Sequence, residues 1–69
     1  MTSTATERVA ARVAEIRQAR GLTQEAMAAK ARLNRVTLAR LERAQHPPNL
    51  ETLDRIARAL GVGLADLVK

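Results

Sequence analysis

The stretch TQEAMAAKARLNRVTLARLERA, residues 23–44, decides the fold. Thr23 is a helix cap, and Gln24 and Glu25 occupy the first turn near the positive end of the helix dipole. Met27 and Ala31 then share one side with Ala28 beside them, which defines a short helix from Thr23 to about Ala31. Its alanines allow a neighbouring backbone to approach closely. Asn34 caps the next helix, which runs to about Arg43. Only Arg32, Leu33 and Asn34 lie between the two, too few for an independent antiparallel hairpin.

The flanking segments extend the same pattern. Val9, Val13 and Ile16 recur at spacings of four and three, an apolar stripe on a first helix from about Thr6 to Arg20, with Gly21 in the stop position. The small and polar residues Met1–Thr6 have no period and are expected to form a flexible N-terminal end, residues 1–6, ahead of one domain over 7–69. Downstream, AQHPPNL breaks the pattern with two prolines. Asn49 caps a fourth helix with the apolar face Leu50, Leu53, Ile56, Ala57 and Leu60, and Gly61 stops it. A last short helix spans about Leu64 to Val68. Every connection is a few residues long, and no repeat or low-complexity tract interrupts the chain. The expected fold is all-α, a compact five-helix domain containing a helix-turn-helix.

Composition limits what such a domain does. Its 69 residues leave hardly any room for a buried enzyme cleft. There is no cysteine and one histidine, so neither a disulfide nor a thiolate or His-pair metal site is expected. The sequence offers no glycine-rich phosphate loop and no serine outside the N-terminal end, so the reading is of a non-enzyme without catalytic residues, metal or cofactor. No apolar run approaches a membrane span, and the start lacks the pattern of a signal peptide, so a cytoplasmic protein is expected. The net charge of +5 and pI of 11.4 come from ten arginines against two lysines. Arginine's planar fork matches phosphates and guanine edges, so polyanions are the natural partners. A membrane surface is disfavoured because a basic helix would need bulky apolar anchors, and the chain has no aromatic residue.

The third helix concentrates that charge. At about 100° per residue, Leu38 and Leu41 point one way, while Arg35, Val36, Ala39, Arg40 and Arg43 spread over the opposite side. Small side chains at Val36 and Ala39 permit deep entry into a major groove about 12 Å wide. Arg35 and Arg40 suit base edges, and Val36 suits a thymine methyl. A solvated charged face is the plainer alternative, and the turn ahead of the helix is what favours the functional one. Thr23 and Gln24 combine capping with donation to a DNA phosphate. Thr37, Arg43 and Gln45 are further phosphate candidates, whereas His46 and the prolines read as a stiff connector. Arg17 and Glu42 either form a partly buried ion pair or stand as two surface charges. Arg8, Arg12, Arg55 and Arg58 read as solvent-facing.

The run RQARGLTQEAMAAKARLNRVTLARLERAQHPPNLETLDRIARALGV, about two-thirds of the chain, resembles the helix-turn-helix family of phage Cro and repressor proteins and Xre-type regulators. The resemblance implies a lambda-repressor-like domain with the motif over Gln24 to about Leu41 and the third helix as recognition helix. It puts Met27, Ala31, Leu33, Leu38 and Leu41 at buried motif positions and Ala28 at the small-residue position. It implies that Gln24 bonds phosphate and a neighbouring recognition residue, that Arg35, Val36, Ala39 and Arg40 face bases, and that Arg17 and Glu42 form a structural ion pair. Two departures stand out. Arg32 occupies the turn position where the family usually has glycine, so it must accept a left-handed backbone or shift the turn, and it is a further phosphate candidate. Gly63 replaces the usual serine-type cap of the fifth helix. The chain is expected to work without a separate oligomerisation domain, which makes Val62, Leu64, Leu67 and Val68 the dimer candidates.

These observations converge on a sequence-specific regulator of transcription that binds double-stranded DNA as a homodimer on a two-fold operator. Within the family this could be a phage-type repressor, a restriction-modification controller or an antitoxin, bacterial or phage-encoded and nucleoid-associated, with RNA polymerase or a toxin as a second partner. The rival reading is a protein-interaction module that keeps the helix-turn-helix as scaffold and binds an acidic protein through the same arginines.

Overall fold

Four of the five helices end in the same way, and these endings set the architecture. In the computed structural model, which describes residues 4–68, the helices are α1 (Thr4–Ala19), α2 (Gln24–Ala31), α3 (Arg35–Glu42), α4 (Leu50–Leu60) and α5 (Leu64–Val68). After α1 the chain turns left-handed at Gly21, where the Leu22 N–H donates to the Arg17 carbonyl at 3.1 Å and the Gly21 N–H to Gln18 at 2.9 Å. This paired closure repeats after α4 at Gly61, with Val62 to Ala57 at 3.0 Å and Gly61 to Arg58 at 3.1 Å. It satisfies carbonyls that a helix end otherwise leaves without partners.

The closures after α2 and α3 use residues with a side chain. Arg32 takes φ 58° and ψ 44°, and Leu33 donates to Ala28 at 2.8 Å. The turn therefore keeps its shape without glycine and stores roughly 1 kcal/mol of backbone strain. Ala44 also has φ 58°, with Gln45 donating to Arg40 at 3.1 Å.

The starts follow the expected caps. Thr23 Oγ1 accepts from the Ala26 N–H at 3.0 Å, Asn34 Oδ1 from Val36 at 2.7 Å, and Asn49 Oδ1 from Thr52 at 2.8 Å. For α5 the capping is reversed: the Asp66 carboxylate reaches back and accepts from the Gly63 N–H at 2.9 Å. Asp66 thus supplies the reciprocal half of a capping box, partnering the Gly63 N–H and not the first-turn N–H groups that a cap side chain would take. Helix α1 begins at Thr4, ahead of the expected Thr6, which is itself buried. The first three residues of the expected flexible end lie outside the described residues.

The core joins Val9, Val13 and Ile16 of α1, Met27, Ala28 and Ala31 of α2, Leu38 and Leu41 of α3, Leu53, Ile56, Ala57 and Leu60 of α4, and Leu67 of α5. Helix α2 packs on both α3 and α4, and α1 packs on α3, α4 and α5. Burying this aliphatic surface is the main favourable term for a chain that has no disulfide. Leu50 departs from the expected apolar face: it is 72% exposed, because it opens α4 one turn ahead of the packed layer. Leu67 corrects another expectation. At 1% exposure it fills the core of its own chain and cannot belong to a surface patch, whereas Val68 is 44% exposed and Val62 and Leu64 are partly buried.

Candidate nucleic-acid interface

Helix α3 is anchored by two leucines and open on the other side. Leu38 is 0% and Leu41 4% exposed, which fixes the rotation of the helix about its axis. Arg35, Val36, Thr37 and Arg40 are consequently exposed, and Ala39 is half-buried at the edge of that face. Arg32, Arg35, Arg40 and Arg43 form no ion pair among the described residues. Their charge is therefore uncompensated, and it is displayed beside Val36, an apolar side chain 48% exposed.

A buried network sets the position of α3 relative to the rest of the motif. Arg17 Nε donates to Glu42 Oε2 at 2.7 Å, and Arg17 Nη2 to Glu42 Oε1 at 3.0 Å. Arg17 Nη1 donates to the Leu22 carbonyl at 2.7 Å, and Gln24 Nε2 to Glu42 Oε1 at 2.9 Å. The charged side chains are only 11% and 7% exposed. A paired fork of this kind is directional as well as strong, so α1, the α1–α2 turn, the start of α2 and the end of α3 are tied at one place. Gln24 thereby turns one amide N–H inward, which leaves its second amide hydrogen and the first-turn N–H groups of α2 for a phosphate.

The remaining predicted residues frame α3. Thr23 is exposed at the start of α2, Arg32 at the turn, and Arg43 and Gln45 at the far end. A cleft of about 310 Å³ lies between α3 and the start of α4, with Thr37 and Arg40 on one side and His46, Asn49 and Thr52 on the other. The sequence reading missed this cleft. No spacing along the chain signals it, because its far wall is set by where α4 begins in space. Arg12 also differs from expectation: its Nε donates to the Asp66 carbonyl at 3.0 Å and its Nη1 to Glu15, so it clamps α5 to α1. No group of three or more His, Cys, Asp or Glu that could hold a metal ion occurs among the described residues, and none of their helices is long and apolar enough to cross a membrane.

Comparison with known proteins agrees with this geometry. The helix-turn-helix family model matches residues 13–67. The immunity repressor protein of Bacillus phage phi105 is 43% identical over 60 residues, a match covering 87% of this chain and 42% of that protein. An uncharacterized HTH-type transcriptional regulator of Sinorhizobium fredii, y4dJ, is 38% identical over 60 residues, covering 87% of this chain and 78% of its own. The crystal structure of the restriction-modification controller protein C.AhdI from Aeromonas hydrophila superposes with a TM-score of 0.87 at 31% identity, covering 90% of this chain and 94% of that one. The chain belongs to the helix-turn-helix family of phage repressors and Xre-type regulators. It spans less than half the length of the phi105 repressor.

Proposed function

We propose that the protein is a transcriptional regulator that binds double-stranded DNA sequence-specifically through α3. Arg35 and Arg40 reach guanine edges, Val36 packs on a thymine methyl, and Ala39 lets the helix sit close to the bases. Thr23, Gln24, Arg32, Thr37, Arg43 and Gln45 hold phosphates and set the docking register. The observation that carries this reading is the uncompensated arginine face of α3, held at a fixed angle by the network of Arg17, Glu42 and Gln24. The names of the phage repressor and the controller protein that it resembles support the same reading.

The protein acts as a homodimer whose two recognition helices enter major grooves about 34 Å apart on a two-fold operator. Val62, Leu64 and Val68 supply the apolar contact between copies. Occlusion of RNA polymerase from a promoter is the resulting effect, and in an antitoxin setting a toxin would be a second partner. Such a protein works at the bacterial nucleoid, in the cytoplasm. Competition binding tests the reading: a cognate duplex should outcompete random duplex by at least about 10³-fold, with log affinity falling linearly with log salt. Equal competition by random duplex would contradict it.

A further inference from the structure

A second basic feature lies away from the outward face of α3. Lys30 and Arg32, at the end of α2 and in the turn, face Arg55 and Arg58 of α4 across a cleft of about 430 Å³, with Ala31 and Ala59 between them. The cleft belongs to the α2–α4 edge, whereas α3 packs on α1 and α2, so none of its lining residues lies on α3.

The state of these cations indicates what fits. Arg55 Nη2 lies 3.0 Å from Glu51 Oε1 and Arg58 Nε 3.1 Å from Asp54 Oδ2, both as pairs one helical turn apart. Their side chains are 47% and 81% exposed, and exposed pairs of this kind contribute little to stability, so the guanidiniums can exchange one carboxylate for another at low cost. Lys30 and Arg32 have no carboxylate partner among the described residues. Apart from the cations, only Ala31 and Ala59 line the cleft, so it has no aromatic platform on which successive bases could stack and recognises its occupant by charge. Four cations around an alanine floor match a short run of carboxylates.

We propose that the α2–α4 edge is a docking site for an acidic segment of a partner protein, which binds through side-chain carboxylates to Lys30, Arg32, Arg55 and Arg58. Of the four cations only Arg32 is also assigned to DNA, so the segment stays docked through Lys30, Arg55 and Arg58 when the operator is bound; that clause alone rests on the proposed function. The partner thereby gains a hold on the regulator that leaves α3 free.

A labelled hexaglutamate peptide serves as probe, titrated at low salt and followed by anisotropy and by backbone amide shifts. The largest shifts are expected at residues 30–32 and 55–59. K30Q/R58Q should weaken binding at least tenfold and R40Q/R43Q less than twofold, with helicity unchanged in both. E51Q/D54N, which frees Arg55 and Arg58, should tighten binding about threefold or more. Several results would each overturn the proposal: shifts centred on α3, an equal loss in R40Q/R43Q, no gain in E51Q/D54N, or a lowered salt slope for duplex DNA in K30Q/R58Q, which would make the cleft a phosphate contact. If α3 does not bind DNA at all, the peptide results still stand or fall by themselves.

Discussion

Arg17 and Glu42 lie 25 residues apart in the chain and meet through two hydrogen bonds, 2.7 and 3.0 Å long, with both side chains largely out of water. The pair joins α1 to the last turn of the recognition helix. Removing one partner leaves a buried charge without compensation, which is far more costly than losing an exposed pair. Arg17→Ala and Glu42→Ala should each destabilise the protein by about 3 kcal/mol in urea unfolding. The double variant R17A/E42A should be less destabilised than the sum of the two single changes. Additive losses would mean that the two side chains act independently.

Arg32 and Ala44 hold left-handed backbone conformations that glycine adopts without strain. Arg32→Gly and Ala44→Gly should each stabilise the fold by about 0.5–1 kcal/mol, because relief of the strain exceeds the extra entropy that glycine loses on folding. Urea midpoints that fall in both variants would contradict the turn geometry. Arg32→Gly carries a second readout, since a lost phosphate contact would weaken DNA binding while stability rises.

The arginines of α3 are expected to differ in role. Arg40→Ala should lower affinity for the preferred duplex by about 1–3 kcal/mol and relax the choice of base at one position. Arg43→Ala should weaken all duplexes alike and reduce the salt slope by about 1. Binding to a panel of single-base operator variants separates the two, and the same loss on every sequence for both variants would refute the assignment.

The C-terminal helix offers a contrast between core and surface. Leu67→Ala should destabilise the monomer by about 2–5 kcal/mol, as expected for a fully buried leucine. Val68→Glu should leave unfolding nearly unchanged and shift sedimentation towards monomer. A dimer that tolerates Val68→Glu would place the interface elsewhere, and the exposed Leu50 is then the next residue to vary.

Local signals made most of the fold legible. Thr23, Asn34 and Asn49 announce their helices because a short polar side chain satisfies first-turn N–H groups wherever it occurs. Gly21 and Gly61 mark their stops for an equally local reason. Ala44 gave no such signal, since alanine is ordinary in every conformation except the one it takes here. Arg12 keeps its side chain 41% exposed and pairs with Glu15, but its bond to the Asp66 carbonyl was not legible, because that partner is 54 residues away and no periodicity encodes it. Leu67 was misplaced because a five-residue helix is too short for its pattern to fix which side faces inward. The outward face of α3 was legible from helical phase alone. The cleft beside it depends on where α4 begins in space, which spacing along the chain does not determine.

Selecting bound duplexes from a random DNA pool tests the central claim most directly. The account predicts a two-fold symmetric consensus, with half-sites about one helical turn apart and guanines at the positions that Arg40→Ala relaxes. Recovery of no consensus, with all duplexes retained equally and released together by salt, would contradict it.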